Sequence, residues 1–171
     1  MLRTVAWTIS VLIALGLVVT VIGWLLPVGH VASRTVTLAA PPDRVFDTIS
    51  RVDAYPTWWE QISRVEMLPS ENGRTRFRQQ TSTGPLVMEV ENARPPSQFV
   101  TRIADPDQPF GGTWTWEIAP EGSGARVTIT ERGEVYNPLF RFLSRFVFGY
   151  TGTMASALRA LEAISCRSVF R

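Results

Sequence analysis

The alternation of apolar and polar positions changes character three times along the chain. From Val5 to Leu26 the sequence reads VAWTISVLIALGLVVTVIGWLL, 22 residues without a charge. As a helix this stretch extends about 33 Å, against a hydrocarbon core of about 30 Å. Trp7 and Trp24 fall near its ends, where indole rings favour the headgroup layer. The pattern predicts an uncleaved transmembrane helix rather than a secretory signal, whose apolar run is about 7 to 15 residues and closes on a small-x-small site. Here the nearest such site, His30-Val31-Ala32, has a bulky first position. Arg3 and the amino terminus balance Arg34 and Arg44, so basic residues do not orient the span. The segment PVGHVAS then reads as a short tether reaching at most roughly 25 Å. These readings give an anchor and tether over 1–33 and a domain over 34–171.

Beyond the tether the period falls to two. A first strand is predicted at Arg34–Ala40, followed by PPDRVFDTISRV, with Pro and Asp at helix-start positions and Val45, Phe46 and Ile49 on one side. The stretch DAYPTWWEQI places Trp58 and Trp59 directly after Pro56; on a helix they would diverge by about 100°. Six further apolar and alternating runs follow: VEMLPS, TRFRQQTS, PLVMEVEN, QFVTRIAD, GTWTWEIA and RVTITERGEV. Turn-rich pieces such as SENG, RPPS and PEGSG divide them, which makes seven strands of one antiparallel sheet. From Asn137 the spacing becomes three and four, through Leu139, Leu143, Phe146, Tyr150, Met154, Leu158 and Leu161. That predicts one long amphipathic helix with Asn137 as N-cap and Pro138 at its first position. Gly149 and Gly152 weaken its middle by about 1 kcal/mol each relative to Ala, so a bend or a close sheet contact is expected there.

The strand faces carry the chemistry. Pairing Arg78 with Glu89 and Arg76 with Glu91 puts both ion pairs on one face and leaves Phe77, Gln79, Met88 and Val90 on the other. Glu89 and Glu91 are thus solvent-face partners of arginines rather than a catalytic carboxylate pair. In the next hairpin Ile118 aligns with Val127, Trp116 with Ile129 and Trp114 with Glu131, while Thr115, Glu117, Thr128 and Thr130 form the opposite face. A one-residue slip would bury that polar row, which fixes the register. Glu131 therefore lies on the apolar face. Desolvation there raises a carboxyl pKa unless an Arg or a hydroxyl pairs with it. Three roles stand open for it: a rim residue paired with an Arg, a ligand-orienting group, or a catalytic acid/base.

Composition narrows the chemistry further. All 17 basic residues are Arg and 15 acidic residues offset them to a formal +2, which is no footprint of nucleic-acid binding. A single Cys, Cys166, allows neither an intrachain disulfide nor a thiolate metal site. The single His, His30, would have to serve any His-based triad, general base or zinc site by itself. No metal or cofactor site is expected, and neither EGSG nor Gly111-Gly112 forms a phosphate cradle.

Three stretches, PPDRVFDTISRVDAYPTWWEQI, GGTWTWEIAPEGSGARVTITERGEV and NPLFRFLSRFVFG, resemble the START-like (SRPBCC) superfamily, which includes Bet v 1-like and polyketide cyclase/dehydratase proteins. The resemblance covers about Arg34 to Ile164 and none of the three stretches is a catalytic signature. It implies an α+β helix-grip fold, in which a curved seven-stranded antiparallel sheet wraps the C-terminal helix around a cavity for an apolar molecule. Trp58, Trp59, Phe77, Gln79, Met88, Phe99, Thr101, Trp114, Trp116, Glu131, Phe146 and Tyr150 would line that cavity, with one of Trp58 and Trp59 at its mouth.

The start of the last helix is apolar around most of its circumference, with Arg141 and Arg145 interleaved. Either it dips into the headgroup layer with guanidinium groups toward phosphates, or edge loops cover it. The expected function is a single-pass cell-membrane protein whose cup binds a hydrophobic small molecule or lipid, without cofactor and without nucleic acid. The alternatives are a polyketide cyclase/dehydratase-like enzyme using Glu131, Gln79, Thr101 and Tyr150, and a chaperone-associated interaction domain with a filled interior.

Overall fold

A computed structural model describes residues 2–168. Helix α1 (Leu2–Leu25) is mostly exposed, apart from its C-terminal end around Gly23, and is long and apolar enough to cross a membrane. It leads after three residues into β1 (Gly29–Leu38). The expected tether is therefore mostly strand. His30, Ala32, Arg34, Val36 and Leu38 continue a two-residue alternation, and β1 pairs with the last strand from Gly29 opposite Glu134 onward.

Helix α2 (Pro42–Ser50) follows, with Val45, Phe46 and Ile49 buried. A 3-10 turn over Val52–Thr57 leads out of it. The Tyr55 hydroxyl donates to the Ile49 carbonyl at 2.8 Å, fixing this turn against the helix. Then come β2 (Ile62–Glu71), β3 (Arg74–Thr81), β4 (Gly84–Arg94), β5 (Gln98–Ile103), β6 (Phe110–Glu121) and β7 (Gly124–Val135). They form one seven-stranded antiparallel sheet in the order β1-β7-β6-β5-β4-β3-β2.

The β6–β7 register is the expected one, with Trp114 opposite Glu131 and Trp116 opposite Ile129. The β3–β4 register differs by two residues. Arg76, not Arg78, faces Glu89, because the hairpin closes between Thr81 and Gly84, where the Thr81 hydroxyl donates to the Gly84 carbonyl. A shift of two preserves the faces, so Phe77, Gln79 and Met88 stay inside. On the outer face Glu89 is buried under Arg74 at 2.8 Å and Arg102 at 3.2 Å, while Arg78 reaches Glu66 and Arg76 reaches Glu71. Glu91 is exposed beside an irregularity between Val90 and Asn92.

The last helix is not continuous. Asn137 caps α3 (Pro138–Leu143), its side chain accepting from the Leu139 and Phe140 amides, a cap worth about 1 kcal/mol. A π turn over Ser144–Phe148 follows, and the chain breaks at Gly149, whose φ of 70° is left-handed. Helix α4 (Gly152–Ser168) then lays Met154, Ala157, Leu158 and Leu161 into the same core as Phe77, Phe99, Trp116 and Ile129. The helical periodicity runs through the break, which is why the pattern reads as one helix.

Helix α3 packs on the C-terminal end of α1. Gly23 allows this, since a Cβ there would lie 1.9 Å from the Pro138 carbonyl oxygen. Arg141, for which both a headgroup position and cover by edge loops stood open, is buried at this junction. It donates from Nε to Val135 O, from Nη1 to Gly23 O and Leu26 O, and from Nη2 to Tyr136 O, at 2.9 to 3.1 Å. A cation suits the carbonyl-rich end of α1, where the helix dipole is negative.

Candidate functional site

Strand register places Ala32, Glu131, Trp114, Thr101 and Val90 in one row across the inner face of β1, β7, β6, β5 and β4. Glu131 has different partners from those its sequence context suggests. Its Oε2 accepts from Trp114 Nε1 at 2.8 Å, and its Oε1 lies 3.1 Å from His30 Nε2. Among the described residues no arginine joins it. The His30 and Glu131 side chains are 13% and 21% exposed. With Glu131 ionised, its carboxylate only accepts, so Nε2 carries the proton and Nδ1 is left as an acceptor unless the ring is cationic.

A glycine makes this pair possible, and a second lies opposite it. Gly112 and Gly133 face each other across β6 and β7, next to His30 in β1. A Cβ on Gly133 would come within 2.3 Å of the imidazole. From the far side Tyr150, in the break before α4, stacks on His30 with ring centroids 3.7 Å apart. Arg34 holds the neighbouring Thr151 at 3.2 Å. The break between the helices is thus fastened over the inner face of β1.

Sequence reading missed His30 as a partner of Glu131. The signal was present: the alternation of β1 extends upstream to His30 on the inward parity, opposite a glycine two residues from Glu131.

Trp58 and Trp59 do not lie on a helix. They follow the 3-10 turn, with both amides bonded to the Tyr55 carbonyl. Their rings stack at 5.8 Å and 20° rather than diverging. Trp59 is buried and stacks at 6.0 Å on Trp114, while Trp58 is half-buried. An aromatic relay therefore runs from Trp58 through Trp59 to Trp114, whose indole N–H meets Glu131. Trp58 Nε1, Trp59 Nε1 and His30 Nδ1 are buried with no hydrogen-bond partner. Such orphans are uncommon, and each costs about 1 to 3 kcal/mol unless a bound polar atom satisfies it.

Of the other cavity candidates, Phe77, Gln79, Met88, Phe99, Thr101 and Trp116 are buried on the same inner face. Trp114 and Tyr150 are half-buried. Phe146 is not on the inner face: it is 60% exposed and packs on Phe142 at 4.9 Å, turned outward by the π turn. Leu86, Val90 and Ile103 lie on inner-face positions yet are only half-buried, so α4 leaves that side of the sheet partly uncovered. Two surface grooves of about 470 and 410 Å³ lie elsewhere, one beside Arg94, Glu117 and Arg126 and one between α2 and α4. Among the described residues no group of three or more His, Cys, Asp or Glu could hold a metal ion.

Residues 30–165 match the family described as polyketide cyclase / dehydrase and lipid transport. No curated protein matches the sequence. Among solved structures, the Zhui aromatase/cyclase from Streptomyces sp. R1128 is 15% identical with a TM-score of 0.68, over 82% of this chain and 96% of that one. A START superfamily protein from Mycobacterium smegmatis is 21% identical with a TM-score of 0.61, over 81% and 98%. The di-domain aromatase/cyclase StfQ of the steffimycin biosynthetic pathway is 14% identical with a TM-score of 0.68 over 84% of this chain. This chain spans about half the length of StfQ, 53% of it. At these identities the likeness is one of fold.

Proposed function

This chain belongs to the polyketide cyclase / dehydrase and lipid transport family, and on that premise we propose that it is a membrane-anchored domain that takes up an apolar molecule carrying one polar end. Helix α1 is its single transmembrane anchor, and the ligand is a lipid or another hydrophobic compound drawn from the bilayer surface. The domain is 34–171 together with the upstream part of β1. Its apolar body would lie along Phe77, Met88, Phe99 and Trp116, with its polar end toward Glu131, His30 and the orphaned indole N–H groups of Trp58 and Trp59.

One observation carries the reading. A hydrogen-bonded polar cluster of the inner face, Glu131 with His30 and Trp114, lies in the rows of the sheet that adjoin the junction of α1 with the domain. A ligand dissolved in lipid would meet it there. Burying about 300 Å² of apolar surface supplies roughly 7 kcal/mol before the cost of association. Entry has to displace side chains, and the break at Gly149 to Thr151, held by side-chain contacts of Tyr150 with His30 and of Thr151 with Arg34, is the element we expect to move.

The Glu131–His30 contact also favours a second reading, a cyclase-like enzyme in which the pair moves a proton to or from a keto substrate. A titration separates the two. Full-length protein in nanodiscs is titrated with a fluorescent fatty-acid analogue, and its bound compounds are read by native mass spectrometry. Saturable uptake, with an altered affinity for Glu131→Gln, supports the carrier. Bare protein and no saturable signal would overturn it. A bound keto compound that is turned over by the wild type and retained unchanged by Glu131→Gln would favour the enzyme.

A further inference from the structure

Six large apolar residues of the segment joining β7 to α4 are exposed: Tyr136, Leu139, Phe140, Phe146, Val147 and Phe148. Phe148 is 70% and Val147 62% exposed. No acidic residue lies between Asn137 and Thr151, and Arg145 stands exposed among the rings. In a surface surrounded by water such a cluster is costly.

Its neighbour says what covers it. The segment begins on the C-terminal end of α1, with Pro138 against Gly23 and Arg141 bonded to the carbonyls of Gly23 and Leu26. A 23-residue span from Arg3 to Leu25 is about 35 Å long and fills a hydrocarbon core of about 30 Å. Gly23 and the 72%-exposed Trp24 then fall at the headgroup boundary, where indoles settle. Whatever packs against Gly23 lies at that depth.

We propose that the α3 and π-turn segment is a second membrane contact, its aromatic rings in the interfacial layer and Arg145 on lipid phosphates, so that the helix break bearing Tyr150 faces the bilayer. This rests on α1 spanning the membrane. The Arg141 contacts to the Gly23 and Leu26 carbonyls at the end of α1, with those to Val135 and Tyr136 at the end of β7, hold the segment at a fixed depth beside α1 instead of leaving it on a loose tether. Amphipathic segments of this composition, apolar on one side with Arg at phosphate level, bind at interfaces in this way.

The test uses the full chain in phosphatidylcholine/phosphatidylglycerol nanodiscs, with Cys166→Ser as background and one NBD label at a time. The positions are Phe148→Cys, Ser123→Cys in the β6–β7 turn, which lies about 36 Å along the strand from Val135, and Leu15→Cys in mid-α1. Expected are blue-shifted emission and quenching by lipids brominated near the headgroup at Phe148, several-fold above Ser123, with the deepest quenching at Leu15. If Leu15 is quenched while Phe148 matches Ser123, the second contact is overturned and the anchor stands. If neither is quenched, both are overturned. Shielding of the Phe148 label without bromolipid quenching, accompanied by energy transfer between differently labelled copies, would make the face a contact between protomers and also overturns the proposal.

Discussion

Replacing Arg141 with Met removes a buried cation that has no carboxylate partner among the described residues. The guanidinium donates to four main-chain carbonyls, Gly23, Leu26, Val135 and Tyr136. The contacts to Gly23 and Val135 are fully buried, so water cannot replace them. Each stranded carbonyl costs about 1 to 3 kcal/mol, and relief of the guanidinium desolvation offsets part of this. The net loss expected is about 2 to 4 kcal/mol. Arg141→Lys keeps the charge but not the planar fork, and should recover only part of it. Thermal unfolding of the full chain in nanodiscs measures this, with wild type, Lys and Met descending in that order. Both variants lying within about 0.5 kcal/mol of wild type, the range of an ordinary surface change, would refute the reasoning that α1 is clamped to the domain through this side chain.

The two tryptophans should separate. Trp59→Ala deletes a buried ring stacked on Trp114 and is expected to cost about 3 to 5 kcal/mol by denaturation, whereas Trp58→Ala, half-buried, should cost far less and mainly weaken uptake of a fluorescent fatty acid; equal losses of stability would contradict this. For acid stability, Arg74 and then Arg102 beside Glu89 hold its carboxyl below the usual carboxylate range. Its folded pKa being depressed, its contribution is present above the unfolded value near 4.3 and lost as pH falls through the folded value. Arg74→Met should flatten the pH dependence of stability below about pH 4.3, and an unchanged acid profile would count against the pairing.

How much of this was legible before the structure depends on the kind of signal. The β6–β7 register and the inward placement of Glu131 followed from alternation alone, because a slip would have buried four polar residues. The β3–β4 pairing was misplaced by two, since arginines and glutamates alternate at the same period and ion pairs alone do not choose among even shifts. Helical period persisted through the break at Gly149, so the outward turn of Phe146 was invisible. The Glu131–His30 contact and the burial of Arg141 depend on where β1 begins and how α1 docks. Both are long-range relations, hinted at only by the alternation of β1 running upstream to His30 and by Gly23 and Gly133 at the two close approaches.

The most direct test of the central claim, that the inner face of the sheet admits an apolar molecule at the membrane, is photo-crosslinking of the full chain in nanodiscs containing a diazirine-bearing fatty acid, with the modified residues mapped by peptide sequencing. Crosslinks on inner-face residues around Gln79, Thr101 and Trp114, reduced by excess unlabelled fatty acid, are the predicted result. Crosslinks confined to α1 and to Phe146, Val147 and Phe148 would show that lipid touches only the outside of the domain, and would contradict it.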